Sequence, residues 1–363
     1  MAVTIGEVPS SAPLRVVQWT TGNVARQAVR AVLAHPRLEL VGVFAYSPAK
    51  VGRDVAELVG LDAPIGVAAT DNVEQLLMLK PDCIVYMPLF PNVDELSFWL
   101  RQGVNVVTSA AFLNGRSLGD EARAAIEAAA QAGGASIFGS GMNPGYAQLL
   151  AGIAAGVSVD VRHVKVIESV DVSMFAADAN MDDLGWGLPP GSPGHTEAVC
   201  RATAVFADGV DVLAGLLGVE LDERRCTVEF ALATADLTPP GRPIAEGHVA
   251  GIDVRWEGIL DGRAVVELHQ RWVMSSRIEP AWKVEHGYLV EVDADPKVRV
   301  KMDIWPAQED LGAMTTADFH DIGMKMTGVP VVNAIPAVCA AAPGIQTYAE
   351  LPVITARLST ADA

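Results

Sequence analysis

Glu168 and Asp171 stand close together at the head of "ESVDVSMFAADANMDDLGWGLPPGSPGHTEAV" (168–199), and His195 lies near its end. Two carboxylates and an imidazole are groups that can hold a cation or move a proton near neutral pH. Glu168 and Asp171 are therefore the candidates for gripping a substrate amine or transferring its proton, and His195 is the candidate acid toward a carbonyl oxygen. Each also suits a plain structural role: Asp171 the cap of a turn, His195-Thr196 the start of a helix. Trp186 sits between Gly185 and Gly187, ahead of two prolines. That setting does not suit a packed element, so its indole is expected on a pocket wall.

A second set of residues could hold a nucleotide. In "VVQWTTGNVARQAV" (16–29) an apolar run meets a glycine and then a helical pattern. Aligned on G-x-G-x-x-G, the turn reads Thr20-Thr21-Gly22-Asn23-Val24-Ala25. The central glycine, which lets backbone approach a pyrophosphate, is kept, while Thr20 and Ala25 replace the outer two. One glycine between strand and helix also occurs in ordinary loops; here its place after the first strand of an alternating series favours a dinucleotide. An acid about 20 residues on would bind the ribose hydroxyls of NAD. The chain instead reads "FAYSPAKVGRD", with Ser47, Lys50 and Arg53 in one short loop. This favours NADP(H) over NAD(H), with Lys50 and Arg53 as a phosphate clamp; two solvated surface charges would give the same sequence.

The elements that must position these groups fall into two kinds. From Leu14, short apolar runs alternate with helical patterns six times, through "LRVVQWT", "LELVGVFA", "IGVAA", "DCIVYMP", "VNVVTS" and "ASIFGS". That is the plan of a Rossmann-type doubly wound parallel sheet, an α/β fold. After about residue 160 come β-branched, alternating strands and two hairpins, with turns at Asp261-Gly262 and Asp295-Pro296. One long helix is expected from Thr196 to about Leu217. The second half therefore reads as an α+β domain with an open, mostly antiparallel sheet. The expected division is a nucleotide-binding domain over 14–146, a substrate and oligomerisation domain over 147–321, and an apolar helix at about 322–354 returning to complete the first.

Composition narrows the function. The net charge is −18 and only 26 residues are basic, which disfavours an electrostatic grip on nucleic acid or anionic membrane. A small-molecule substrate is the expected partner. "MAVTIGEVPSSAP" has neither a basic start nor an apolar stretch, and no apolar run of about 18 residues occurs, so a cytoplasmic location is expected. Cys83, Cys200, Cys226 and Cys339 show no ligand spacing; no metal site is indicated, and buried reduced thiols are expected. P-loop and H-E-x-x-H patterns are absent. Apolar strands such as "AVVELHQRWV" leave a sheet face to cover, by a partner subunit or by the chain's own helices.

Four separate stretches, "TTGNVARQAV", "SPAKVGRDVAELVG", "GSGMNPGY" and "VVNAIPAVCAAAPGIQTYAELP", together resemble proteins with a dihydrodipicolinate reductase-like N-terminal domain. The branch is the one that includes 2,4-diaminopentanoate dehydrogenase and the native amine dehydrogenases. The resemblance runs from about Leu14 to Pro352. It implies a nicotinamide-dependent oxidoreductase acting on a carbon–nitrogen or carbonyl bond, usually a homodimer or larger assembly. It also implies that Met87-Pro88 and Ser109-Ala110 lie along the nicotinamide and its ribose, and that Asn143 and Pro144 contact the nicotinamide end.

One departure is chemically instructive. Amine dehydrogenases of this group typically carry a glutamate after the fifth strand, in a Cys-Glu-Glu-Leu type run, and this chain has Ala110-Ala111-Phe112-Leu113. A cationic imine wants a nearby carboxylate, worth about 1.5–3 kcal/mol as a charge-assisted hydrogen bond. The His-His and Lys constellation of true dihydrodipicolinate reductases is missing too. Phe90, Phe112 and Trp186 are expected around the cleft, implying a fairly apolar substrate of modest size. The leading expectation is an NADP(H)-dependent reductase or dehydrogenase for a ketone, imine or amine. The alternative is a non-catalytic or regulatory NADP(H)-binding protein that has lost the family's carboxylate.

Overall fold

The structure, a computed structural model, describes residues 12–307 and 311–357. Its first half alternates strand and helix: β1 (Leu14–Trp19), α1 (Asn23–Ala34), β2 (Leu38–Phe44), α2 (Val55–Val59), β3 (Ala69–Thr70) and α3 (Val73–Met78). It continues with β4 (Cys83–Tyr86), α4 (Val93–Arg101), β5 (Asn105–Thr108), α5 (Asp120–Gly133) and β6 (Ser136–Gly139). Strands β1, β4 and β6 bury residues on both faces, as a parallel sheet covered by helices on each side requires. Helix α1 turns Ala25, Ala28, Val29 and Val32 toward that sheet and ends before Pro36, which cannot continue it.

The second half runs α6 (Ala147–Ala155), β7 (Val159–Asp171), α7 (His195–Ala202), α8 (Val205–Leu216), β8 (Glu223–Ala233), β9 (Val249–Leu260) and β10 (Arg263–Val273). Then follow β11 (Ile278–Glu279), β12 (Gly287–Asp295), β13 (Val298–Met302), α9 (Thr316–Val338) and β14 (Gly344–Gln346). The expected single helix over Thr196–Leu217 is two helices. At the break the Thr203 hydroxyl donates back to the Val199 carbonyl at 2.8 Å and accepts the Trp256 indole N–H at 3.0 Å, a local alternative to continued helix. The β9–β10 hairpin turns at Asp261 and Gly262, both at positive φ, the geometry that a two-residue loop between twisted strands demands.

Two sheets result. The first has the order β14-β6-β5-β4-β1-β2-β3, all parallel, with its topological switch between β1 and β4. The second has the order β11-β8-β9-β10-β7-β12-β13, antiparallel except for the β10–β7 pair. This is an α/β protein with a Rossmann-type sheet and a second, mostly antiparallel one. Helix α9 packs Gly328 against Val24 and Ala28 of α1, and β14 extends the first sheet beyond β6.

The cysteines correct an expectation. Cys200 on α7 and Cys226 on β8 form a disulfide, with Cα atoms 6.1 Å apart, while Cys83 and Cys339 are free. The pair is far apart in sequence and close only because α7 lies over β8, a proximity that ligand-type spacing does not encode.

Candidate active site

The carboxyl ends of β1 and β4 open at the switch point, where an open α/β sheet binds its ligand. Thr20 follows β1 at φ 82°, the left-handed region that the first glycine of the fingerprint usually occupies, and its hydroxyl donates to the Met87 carbonyl at 3.0 Å. That bond holds a threonine where backbone sterics favour glycine. Gly22 caps α1 with no side-chain bond to the first turn. A Cβ placed on Gly22 would meet no atom within 4 Å, so Asn23 and Val24 begin a helix whose N-terminus is open to a phosphate. Lys50 Nζ donates to Thr21 Oγ1 at 2.8 Å, which sets its ammonium at the turn. Arg53 instead pairs with Glu57 at 2.6 Å. Ser47 and Tyr46 are exposed just beyond β2. The Tyr46 hydroxyl accepts from Trp19 and donates to Glu95.

A cleft of about 1400 Å³ lies between the two halves of the molecule. Ser109, Ala110 and Ala111 after β5 line it, as do Asn143 and Pro144 after β6, with Phe90 at its mouth. Met87 is buried at the end of β4. The opposite wall brings Glu168 and Val170 of β7, Trp272 of β10 and Tyr288 of β12. Strands β7, β10 and β12 are neighbours, and register puts Glu168 beside Tyr288. Helix α9 adds Phe319, Ile322 and Met326.

Glu168 is the polar centre of this apolar wall. Its Oε2 accepts the Asn143 amide Nδ2–H at 2.6 Å. Burial pushes its pKa up to about 7, offset in part by Asn143 and Trp272, which favour the charged form. The Tyr288 phenol is pushed up as well, by burial first and by the Glu168 charge second. A carboxyl that is half protonated at neutral pH can take up or return a proton. Asn143 in turn accepts from Gln148 Nε2 at 3.0 Å, and Gln148 Oε1 accepts the Gly145 N–H.

Other expected site residues lie elsewhere. Asp171 ends β7 and accepts the Ser173 N–H at 2.9 Å, so it caps a turn. His195 is buried, stacked on Phe230, with Nε2 against the Leu184 carbonyl at 2.8 Å; it begins α7 and packs in the core. Phe112 is fully buried and wedged between Gly139 and Gly115, so the loop after β5 shows its alanines to the cleft and its ring to the core. Trp186 is also buried. Gly185 and Gly187 both take positive φ, and the turn they form directs the indole inward toward Ile244 and Val249. His320 sits on α9 with Nε2 3.0 Å from Asp178 Oδ2, and Asp318 closes the capping box of that helix.

Sequence reasoning missed Trp272, Tyr288, Gln148 and Asp208. The first two are alternating strand residues that read as ordinary sheet. Asp208 offered a signal, an acid on the apolar face of α8. Among the described residues no group of His, Cys, Asp or Glu is placed to hold a metal ion, and no helix is long and apolar enough to cross a membrane.

Residues 148–363 match the 2,4-diaminopentanoate dehydrogenase C-terminal domain family. The chain is similar to the amine dehydrogenase of Streptomyces virginiae, 30% identical over 360 residues that span 94% of this chain and 96% of that protein. It is similar to the 2,4-diaminopentanoate dehydrogenase of Acetoanaerobium sticklandii, 25% identical over 267 residues, 72% of this chain and 70% of that protein. Among solved structures, the amine dehydrogenase from Mycobacterium smegmatis superposes with a TM-score of 0.75 at 22% identity, covering 95% of this chain and 97% of that one.

Proposed function

The chain belongs to the family of 2,4-diaminopentanoate dehydrogenase and the amine dehydrogenases, and from that premise we propose that it interconverts an amine and an imine with NADP(H). It is an NAD(P)-dependent oxidoreductase. The observation that carries the finer reading is Glu168. This carboxyl faces the cleft from the second sheet, beside Asn143, in a chain that has Ala110 and Ala111 where amine dehydrogenases typically carry a glutamate.

The residues present fit a nicotinamide dinucleotide. The open first turn of α1 and the space above Gly22 suit the pyrophosphate, with Thr20, Thr21, Asn23 and Val24 around it. Met87, Pro88, Ser109, Ala110, Asn143 and Pro144 suit the nicotinamide half. When bound, the nicotinamide supplies or accepts the hydride. Preference for NADP(H) rests on the β2 tip, where Ser47 and Lys50 stand without an acid; Glu57 is engaged by Arg53 and Glu95 by Tyr46 and Tyr86.

Glu168 does the proton work. In the oxidative direction a substrate ammonium binds against the carboxylate and gives it one proton. The neutral amine then loses its hydride from carbon, leaving an iminium that water hydrolyses to ketone and ammonium. In the reverse direction the carboxyl returns the proton to nitrogen. Asn143 keeps the carboxylate aimed, and the apolar walls from Val170, Trp272, Ile322 and Met326 select an amine on an apolar body.

The reading includes a homodimer, which rests on the resemblance to this family. Sedimentation at micromolar protein should give the mass of two chains, and a monomer would remove this part of the reading.

The decisive assay follows nicotinamide absorbance with NADP⁺ and apolar primary amines, and with NADPH, ammonium and the matching ketones. Turnover dependent on added substrate is expected. Tight NADPH binding with no turnover across the panel would replace this reading with a non-catalytic NADP(H)-binding protein.

A further inference from the structure

A backbone N–H can only donate, and this one-way group begins a chain of three amides. Gly145 is buried at φ 139° in the turn between β6 and α6, where a Cβ would strike Ser140. Ser140 is itself held by the Tyr348 hydroxyl at 2.8 Å. The Gly145 N–H is therefore fixed in place, and it donates to Gln148 Oε1. Gln148 is fully buried. With its oxygen taken, its nitrogen must face the other way, and Nε2 donates to Asn143 Oδ1 at 3.0 Å. That leaves Asn143 Nδ2 toward Glu168 Oε2 at 2.6 Å.

We propose that Gln148 is a positioning residue that reads the Gly145 N–H and thereby fixes the Asn143 amide with its donor, never its acceptor, toward Glu168. The proposal rests on the reading of Glu168 as the proton-handling carboxylate, and it adds what sets that group's readiness. A donor meeting Glu168 favours the carboxylate; an acceptor meeting it would demand the protonated acid. In the turned-over state Asn143 Oδ1 would meet Glu168 Oε2, and the Glu168 carboxyl would have to carry a proton. Gln148 excludes that state, because its own nitrogen would then confront the Asn143 nitrogen.

The groups facing Glu168 leave this amide as the adjustable one. Tyr288 faces it from β12, Trp272 from β10, and Gln270 of β10 is its register partner. Helix α9 brings Met326 and Thr327 to the cleft, and α8 brings Phe206, none of them charged. The cleft also carries Arg201 on α7, Asp178 and Asp183 on the loop after β7, and Glu285, His286 and Lys301 at strand ends.

The test is an NMR titration of the full chain without cofactor or substrate, with ¹³C at the glutamate δ-carbon and Glu168 identified by its loss in E168Q. In the unsubstituted protein the Glu168 signal should titrate at about 7. In Q148M, which keeps length and removes both amide groups, the midpoint should move up by about half to one unit, since Asn143 is free to turn. N143L should raise it at least as far, and Q148M with N143L should add nothing further, as two members of one chain require. An unchanged midpoint in folded Q148M, or additive shifts in the double variant, would overturn the proposal.

Should Q148M fail to fold, the unsubstituted protein still decides. The Asn143 side-chain amide protons should shift in step with the Glu168 titration, and silent Asn143 protons through that range would refute the orientation. These readouts involve no turnover. A failed amine assay would leave them standing, and a failed titration would leave the proposed reaction open.

Discussion

Asp208 of α8 reaches across to the loop after β5 and accepts the Ser117 N–H at 2.8 Å, the Ser117 hydroxyl at 3.1 Å and the Gly115 N–H at 3.2 Å. Asp208 is buried. Burial raises its pKa, and the Ser117 contacts oppose the rise. The loop it grips carries Ala110 and Ala111 along the cleft. One side chain of the second half of the molecule thus holds a cleft-lining loop of the first. Asp208→Ala leaves two buried N–H groups unpaired, so unfolding in urea should show a loss of about 2–4 kcal/mol. The KM for cofactor should rise more than kcat falls, because the loosened loop carries Ser109 and Ala110, proposed above to lie along the nicotinamide. A loss below about 1 kcal/mol with an unchanged KM would show that the loop holds itself.

Glu168 sets the rate in the proposed reaction. Glu168→Gln keeps the shape and the contact to Asn143 while removing the proton acceptor, so kcat should fall by roughly 10²–10⁴ with cofactor affinity unchanged. In the unsubstituted enzyme, amine oxidation should rise with pH through a limb near 7, where Glu168 ionises. Steady-state kinetics across pH checks both, and a variant within threefold of the parent would move the proton work elsewhere.

The same carboxyl makes a stability prediction of definite sign. Its folded pKa of about 7 lies above the ordinary 4.5, so the folded protein keeps a proton that the unfolded chain releases. The contribution is fully present below about pH 4.5 and is lost as pH rises through 7. The span is at most about 3 kcal/mol, and nearer half of that because the half-buried carboxyl meets solvent from the cleft. Urea midpoints at pH 5 and pH 8 should differ less in Glu168→Gln than in the parent, with the variant the more stable at pH 8. Parallel curves would mean that Glu168 ionises freely.

Lys50 and Arg53 separate in the structure, and binding should separate them too. Lys50 reaches Thr21 in the turn, whereas Arg53 is spent on Glu57. Lys50→Ala should weaken NADPH by about ten- to a hundredfold, the worth of a charge-assisted contact to phosphate, and should leave NADH less affected. Arg53→Ala should cost under threefold. Calorimetric titration with each nucleotide decides, and equal losses for NADPH and NADH in Lys50→Ala would remove the argument for NADP(H).

The architecture was legible because periodicity reports it directly: buried runs such as "CIVY" on β4 read as parallel strands, and alternation around Ile252 and Val254 read as a hairpin. The glycine turn was legible despite Thr20, since a left-handed position can be held by a hydroxyl bond that no glycine pattern encodes. Glu168 could be nominated from its strand, but choosing it over Asp171 and His195 needed the third dimension. Three residues along the chain, Asp171 turns to cap a backbone N–H instead of facing the cleft. Phe112 and Trp186 were misplaced for different reasons. Phe112 buries its ring against Gly139 and Gly115, neither of them adjacent to it in sequence. Gly185 and Gly187, which flank Trp186, resemble an open loop, although their turn carries the indole into the core. The Cys200–Cys226 pair was illegible because it depends on how α7 crosses β8.

That crossing is itself testable. Helix α7 contributes Ala198, Arg201 and Ala202 to the cleft, and Cys200, between them, is bonded to Cys226 on β8. The bridge closes a loop with a sequence separation of 26 residues. Removing it restores chain entropy to the unfolded state worth about 3 kcal/mol. Cys200→Ser with Cys226→Ser should therefore lower the unfolding free energy measured in urea by that amount, and a thiol reductant should reproduce the loss in the parent but not in the double variant. Because α7 keeps its packing through Val199 and His195, kcat should change by less than about threefold once both proteins are folded, and the KM for the amine should carry the larger effect. Mass spectrometry of the untreated protein gives the independent check: two free thiols are expected, Cys83 and Cys339, and four would remove the bridge from the account.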